Sequence, residues 1–421
     1  MIILSNGYPT NMPNSEEVSQ GGPANFARLF TLYVASKTPH KWIGVMFDSS
    51  KKSTKVRLKK IFSFSQRDYF KLYLPKIYIR QIVRAKKLSN PADVLQEPIA
   101  RLVKLIKKEK PDVVFLNGFG IFNWMLLKAA EKTGVPVIIQ HAGIWTKELN
   151  LHKDLYSSAG LKMMKNMEKD STEIVKFEVF LNNWSRDYYQ KKVATKTDNN
   201  TVIIPLPFDF ASFERTVKSI KKKNLFAWGN RKKRIGVIAR WDRIKDHASI
   251  LALAKMAKKN GLPWQFYSVT KIPEKHHLKI NKESYEKNIK VIHSLGRVGI
   301  SKFCGSMDLL ILPSLFDVSP TVVLEAIAAG TPVAISPNVG YVDDFISCGA
   351  KDWIIDFKNK ADAIKRIKKI IKRDMPQELC SQIISKHDYQ KVFLSYLYLF
   401  ESVMKKEEYS NFFPVLLYDS I

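Results

Sequence analysis

The sequence predicts an α/β protein in which two doubly wound parallel sheets follow one another along the chain. Three observations predict it. In both halves short apolar runs of strand length alternate with longer stretches of helical period. A polar, Lys-rich stretch at 211–232, with Lys221-Lys222-Lys223 and Gly229-Asn230, separates the halves. The segment 313–336 reads as loop, helix and buried strand in succession, which is the repeating unit of such a sheet.

The elements follow in order. Residues 2–5 form a first strand; they are too short and too poor in basic residues for a secretory leader. A polar loop with Pro9, Pro13 and Gly21-Gly22 comes next. Pro23 suits the first turn of a helix running to about Ser36, where its missing N–H would be unpaired anyway. A strand at 42–46 precedes a basic segment, 51–87. A helix at 98–110 leads into a strand at 112–116, and a helix at 121–133 into a strand at 135–140 that His141-Ala142-Gly143 ends. A helix at 158–172 and a strand at 175–181 follow, and 203–209 closes the half. The second series has a strand at 234–239, a helix at 247–259, strands at 264–269 and 289–292, a helix at 299–305 and a strand at 309–312. Gly330 and Pro332 then punctuate the unit that ends in the strand 333–335. A strand at 353–356, a helix at 361–372 and a long helix at 388–405 complete it, and Phe412, Phe413, Leu416 and Leu417 predict that the tail docks. The expected domains are 1–210, a connection at 211–232, 233–385, and a helix and tail at 386–421 that pack back on the first domain.

Composition bounds the function. The chain has 421 residues, 45% of them hydrophobic, enough for two or three cores and unlike a disordered chain. No apolar run approaches the roughly 18 residues of a membrane span. Cys304, Cys348 and Cys380 match no metal spacing and suit small core residues in a reducing cytosol. The net charge of +30, from 69 Lys+Arg against 39 Asp+Glu, concerns partners rather than fold. It is densest over 51–87, where Asp68 is the one acid and aromatic and aliphatic side chains interleave the cations. An anionic membrane surface suits that pattern best; a solvated face and nucleic-acid binding are the other readings.

Chemistry is densest in 313–336. Asp317 and Glu325 stand eight positions apart, flanking a loop with Ser319, Pro320 and Thr321 that opens a helix. Unpaired N–H groups at a helix start suit an anion, and the two carboxylates suit sugar hydroxyls. An ordinary αβ unit with two incidental acids explains the pattern equally well. Arg240 and Lys245 follow the first strand of the second half, at the carboxyl edge of a parallel sheet where ligands bind.

The segment 313–336 resembles the Glu-x7-Glu signature of the family 4 retaining glycosyltransferases. Pro313, Ser314, Pro320, Leu324, Glu325, Ala326, Ala328, Gly330, Pro332 and Val333 fall in its frame, with Asp317 in place of the first Glu. Arg240 and Lys245 match the family's G-R-L-x-x-x-K-G element, with Ala239 and Asp246 where glycines are usual. Gly21-Gly22 resembles the N-terminal glycine-rich loop, His141 the histidine beside the transferred sugar, and Leu295-Gly296-Arg297-Val298 the loop that contacts the base. The likeness covers most of the chain and is strongest over 234–340.

The resemblance implies a GT-B fold, two Rossmann-like domains facing across a cleft, and sugar transfer from a nucleotide diphosphate-sugar with retention. It implies that Glu325 holds the ribose, Asp317 a sugar hydroxyl, and the backbone at 319–321 sugar and phosphate. Arg240 and Lys245 would stabilise the departing diphosphate, with His141 against the sugar. No Asp-x-Asp occurs, so no obligatory metal or other cofactor is expected. The implied acceptor is a glycan or a lipid-linked sugar of cell-surface polysaccharide or glycolipid synthesis. The implied place is cytoplasmic, peripheral on the inner face of the membrane, without nucleic acid. The alternatives are a catalytically silent adaptor and a polyanion-binding protein.

Overall fold

The computed structural model describes residues 1–7, 22–49, 53–194, 200–219, 232–274 and 278–405. The chain forms two compact units. The first takes its described residues from the stretch ending at Pro207 and from Tyr389 onward; the second runs from Phe208 to Asp388.

The first unit is built on an eight-stranded sheet in the order β3-β4-β2-β1-β5-β6-β7-β8. The strands are β1 (Ile2–Asn6), β2 (Lys41–Asp48), β3 (Arg57–Phe64), β4 (Arg67–Tyr73), β5 (Val113–Asn117), β6 (Val137–His141), β7 (Phe177–Phe180) and β8 (Thr201–Ile203). All neighbours are parallel except β3 and β4. β1, β5 and β6 are buried along nearly their whole length because helices cover both faces. One face carries Gln96–Glu109, Ile121–Glu131 and Ser158–Ser171 over Leu102, Met125 and Met163. The helices Gly22–Lys37 and Tyr389–Lys405 meet in an aromatic cluster. Phe30 has ring neighbours Phe393 at 5.0 Å, Tyr396 at 5.5 Å and Trp42 at 5.8 Å. The Tyr396 hydroxyl donates to Gln140 Oε1 at 2.8 Å, so this last helix is both packed and bonded into the first unit.

The second unit holds a five-stranded, all-parallel sheet in the order β11-β10-β9-β12-β13. Its strands are β9 (Lys233–Ile238), β10 (Trp264–Val269), β11 (Ile289–Ile292), β12 (Leu309–Leu312) and β13 (Val333–Ile335). Gly236 lies where a Cβ would come within 2.7 Å of Leu310 and Met307, so β9 packs closely against its neighbours there.

The structure departs from the sequence expectations in three places. Residues 211–219, expected as connection, belong to the helix Phe210–Ser219, because Phe210 and Phe213 supply an apolar face to the second core. The remaining residues of the expected linker, 220–231, lie outside the described residues, as do Gly21, Lys51, Lys52 and the tail from 406. The expected strand at 353–356 is a 3-10 turn, Lys351–Trp353, with one bridge from Ile354 to Ile335. The basic segment is a hairpin, β3–β4, followed by the helix Lys76–Val83. Several of its apolar residues are core: Tyr69, Phe70, Leu72 and Leu74 are buried. Asp68 is buried too; burial would raise its carboxyl, yet bonds from Lys41 at 2.8 Å, Lys60 at 2.7 Å and Ser63 at 2.6 Å hold it down at about 2.

Phe30 is fully buried and Phe64 is 60% exposed. Phe30→Ala should therefore cost about 3–5 kcal/mol of unfolding free energy, whereas Phe64→Ala should stay within about 0.5 kcal/mol. Chemical denaturation of both variants checks the pair.

Candidate active site

The sheet of the second unit runs outward from β9 to β10 and β11, then resumes on the other side of β9 with β12 and β13. The strand order therefore reverses between β9 and β12. The loops leaving their carboxyl ends lie side by side at that point, where parallel α/β sheets bind ligands. One loop is 239–246, the other 313–320.

The first loop is built by local capping. Asp242 Oδ1 accepts from the Ile244 N–H at 2.9 Å and starts the 3-10 turn Arg243–Lys245. Asp246 ends that turn in the left-handed region, φ +50, which explains why glycine is usual there. Asp tolerates it and adds a second function: its carboxylate accepts from Ser249 N at 3.2 Å and Ser249 Oγ at 2.6 Å, capping the helix His247–Lys259. Where glycine is usual, the aspartate adds a side-chain cap to the left-handed conformation.

The two loops are then tied together. Leu315 N–H donates to the Ile244 carbonyl at 2.7 Å. This places Lys245 Nζ in an ion pair with Asp317 Oδ2, with Ser314 Oγ 3.4 Å from the same oxygen. Asp317 is itself held by its backbone: its N–H donates to Asn338 O at 3.0 Å and its carbonyl accepts from Gly340 N at 2.9 Å. Arg240 is exposed, and its guanidinium has no partner among the described residues. So the two cations expected to act together differ: Lys245 is anchored and Arg240 is free.

Pro320 is buried and precedes the helix Thr321–Ala328, whose first turn carries no acidic residue and no side-chain cap. Its opening N–H groups are left for an anion. Ser319 Oγ lies 3.1 Å from the hydroxyl of Tyr341, a buried residue that the sequence did not single out. Glu325 is half-buried on this helix. Desolvation pushes its carboxyl up to about 7, against the pull of Arg297. Arg297 begins the helix Arg297–Ser306 and also lies 3.9 Å from Asp209, while its neighbour Val298 is 52% exposed.

The expected residues of the first unit fare differently. Gly22 is the first residue of its helix, and Gly21 lies outside the described residues. His141 ends β6 as expected, but its side chain has no exposed surface. It stacks on Phe180 at 4.6 Å, touches the Tyr189 ring at 4.3 Å, and bonds Glu178 Oε1 through Nε2 at 3.0 Å. A strand-end position suggested an open ligand contact; packing from β7 and the following helix encloses the ring instead.

Residues 219–387 match the glycosyl transferases group 1 family. The Bacillus subtilis protein EpsF, described as a glycosyltransferase, is 30% identical over 107 residues, which are 25% of this chain and 27% of that relative. Similar solved structures extend over nearly the whole chain. A sucrose-phosphate synthase from Thermosynechococcus elongatus matches with a TM-score of 0.69 at 13% identity, covering 96% of this chain and 99% of its own. A trehalose-6-phosphate structure from E. coli, bound with UDP-2-fluoro glucose, gives 0.67 at 12%, covering 96% and 99%. A UDP-forming trehalose-phosphate synthase from Burkholderia vietnamiensis gives 0.69 at 11%, covering 96% and 97%. The fold of this chain is therefore GT-B, with two Rossmann-like units.

Two measurements follow from the site. Asp246→Ala should cost about 0.5–2 kcal/mol through the lost cap, and Asp246→Gly only a few tenths; denaturation midpoints compare them. The second concerns pH. Glu325 has its carboxyl raised from 4.5 to about 7, so its contribution is full below the unfolded value and is lost as pH rises through 7. His247 is lowered by burial from 6.5 to about 4, so its contribution is present above 6.5 and lost as pH falls toward 4. The two slopes oppose one another over the same window. Glu325→Gln should raise the midpoint most at pH 8 and not at pH 4, and equal shifts at both would contradict the assignment.

Proposed function

We propose that this protein transfers a sugar from a nucleoside diphosphate-sugar to a glycan or lipid-linked acceptor, with retention of configuration. The observation that carries the proposal is the meeting of 239–246 and 313–320 at the point where the strand order reverses. It gathers a free guanidinium, an anchored ammonium, an open helix N-terminus and two carboxylates in one unit.

Each group has a task it is suited to. Arg240 and the N–H groups at Thr321 and Val322 meet the diphosphate, whose charge grows as the sugar leaves. Lys245 shares its charge between that diphosphate and Asp317. Asp317 accepts from a sugar hydroxyl, and the Lys245 pair fixes where it does so. Glu325 accepts from the ribose; burial raises its carboxyl to about 7, and Arg297 pulls the other way, toward the charged, accepting form. Arg297, Val298 and Ser319 border the nucleotide and sugar. His141, enclosed in its own unit, is left out of this assignment. No side chain is assigned as nucleophile, so the acceptor attacks on the face the diphosphate leaves, and the leaving phosphate takes its proton. The charge is neutralised by Arg240, Lys245 and the helix terminus without an obligatory metal.

Lipid-linked acceptors fit the first unit's surface. Ile77 and Leu88 are exposed, and Lys76, Arg80, Arg84, Lys86 and Lys87 are exposed cations without an ion pair among the described residues. Each contributes roughly 1 kcal/mol near an anionic bilayer. Among the described residues no helix is long and apolar enough to cross a membrane, so attachment to the inner face would be peripheral.

Arg240→Ala and Lys245→Ala should each reduce turnover by about 2–4 kcal/mol of transition-state stabilisation. Donor hydrolysis across a panel of nucleotide-sugars, with thermal melts as the folding control, measures it. Turnover should survive EDTA. Wild-type rates in both variants would refute the diphosphate assignment. Replacing Lys76, Arg80, Arg84, Lys86 and Lys87 by Glu should release the protein from phosphatidylglycerol liposomes while donor hydrolysis continues. A wild type that ignores those liposomes at low salt turns the choice to a soluble glycan.

A further inference from the structure

Arg240 presents an exposed side chain with no carboxylate to hold it, so its backbone decides where it starts. The Arg240 carbonyl accepts a bond from a side chain seven residues later. His247 Nε2 lies 2.7 Å from that oxygen. The other ring nitrogen, Nδ1, lies 2.9 Å from the Tyr285 hydroxyl, which is 3.2 Å from Ser268 Oγ. Trp241 covers the assembly, with its ring 4.5 Å from His247 and edge-on to Tyr285 at 4.9 Å. His247 and Ser268 are 1% and 0% exposed.

The proton positions follow from the partners. A carbonyl only accepts, so Nε2 carries the hydrogen. In a neutral imidazole Nδ1 then holds a lone pair, and the phenol donates its single proton there. The same hydroxyl also lies within hydrogen-bond reach of Ser268 Oγ, at 3.2 Å. Burial keeps the ring neutral, although Asp242 and Asp246 on one side favour the charged form and Lys245 opposes it. This arrangement gives both ring nitrogens of His247 a partner. The bonds connect the Arg240–Asp246 loop to the helix Lys282–Asn288 and to β10.

We propose that His247, Tyr285 and Ser268 form a hydrogen-bonded relay that fixes the Arg240 carbonyl and thereby aims the Arg240 guanidinium at a nucleoside diphosphate. His247 and Tyr285 are positioning residues: they act through Arg240 and touch no ligand. This rests on the diphosphate reading of the loop. A histidine with a purely structural role would also need its nitrogens paired, but an apolar residue of similar volume would then replace it without effect on the anion.

Calorimetry with UDP, GDP and ADP tests it in a double-mutant cycle. His247→Leu should weaken the binding nucleotide about tenfold, the size of one lost interaction of about 1.4 kcal/mol. His247→Gln, whose amide N–H can reach the same carbonyl, should recover most of that. Arg240→Ala combined with His247→Leu should bind no worse than Arg240→Ala alone. Additive losses would overturn the relay, as would an unaffected His247→Leu. If His247→Leu does not fold, Tyr285→Phe takes its place in the same cycle. Ring 15N shifts of His247 give a readout independent of any nucleotide: the Nε2–H tautomer at pH 7 is expected, and the Nδ1–H tautomer would overturn the relay. A wild type that binds no nucleoside diphosphate but shows the Nε2–H tautomer refutes the loop's ligand and the aiming of Arg240, while leaving the bonded chain itself in place.

Discussion

The hydrogen bond from Leu315 N–H to the Ile244 carbonyl is the constraint on which the site depends. It joins two loops that are far apart in sequence and adjacent only because β9 and β12 pair directly. Without that pairing Lys245 and Asp317 would be two unrelated surface charges. With it, each has the other as its nearest partner, and both are half-buried. Partial burial strengthens the attraction relative to open water and leaves one edge of the pair accessible to a ligand.

The same economy appears around Asp246. A left-handed residue is needed to turn from the 3-10 segment into the helix His247–Lys259. Glycine would supply the conformation alone. Aspartate supplies the conformation at some steric cost and the cap as well, and His247 directly after it bonds back across the loop. Backbone shape, capping and the bond to Arg240 are thus concentrated in two consecutive residues, so neither can be exchanged without altering the loop.

The first unit is organised by a different force. Its sheet is covered on one side by an aliphatic layer and on the other by rings, and the helix Tyr389–Lys405 supplies Phe393, Tyr396 and Phe400 to that second layer. Rings of this size bury large areas, so the last described helix is an integral part of a core whose strands lie hundreds of residues earlier. The bond from Tyr396 to Gln140 adds direction to what is otherwise non-directional packing.

The sequence alone determined the alternation of strands and helices, because burial on both faces of a parallel sheet writes itself as continuous apolar runs. It also singled out Asp317 and Glu325, which stand in a local pattern of loop, proline and glycine, and Arg240 and Lys245, which follow a strand end in a frame that resembles a known family element. Other features were out of its reach. The helix over 211–219 was hidden by the polar, Lys-rich run that follows it at 221–223, since two buried phenylalanines, not average polarity, decide it. The enclosure of His141 depended on Phe180, Tyr189 and Glu178, which no local pattern connects to it. The roles of His247, Tyr285 and Ser268 depended on three separate elements meeting at one carbonyl. Local periodicity carries information about which face a residue turns inward. Which residues from distant elements then meet there is set by sheet order and packing, and that exists only in the folded chain.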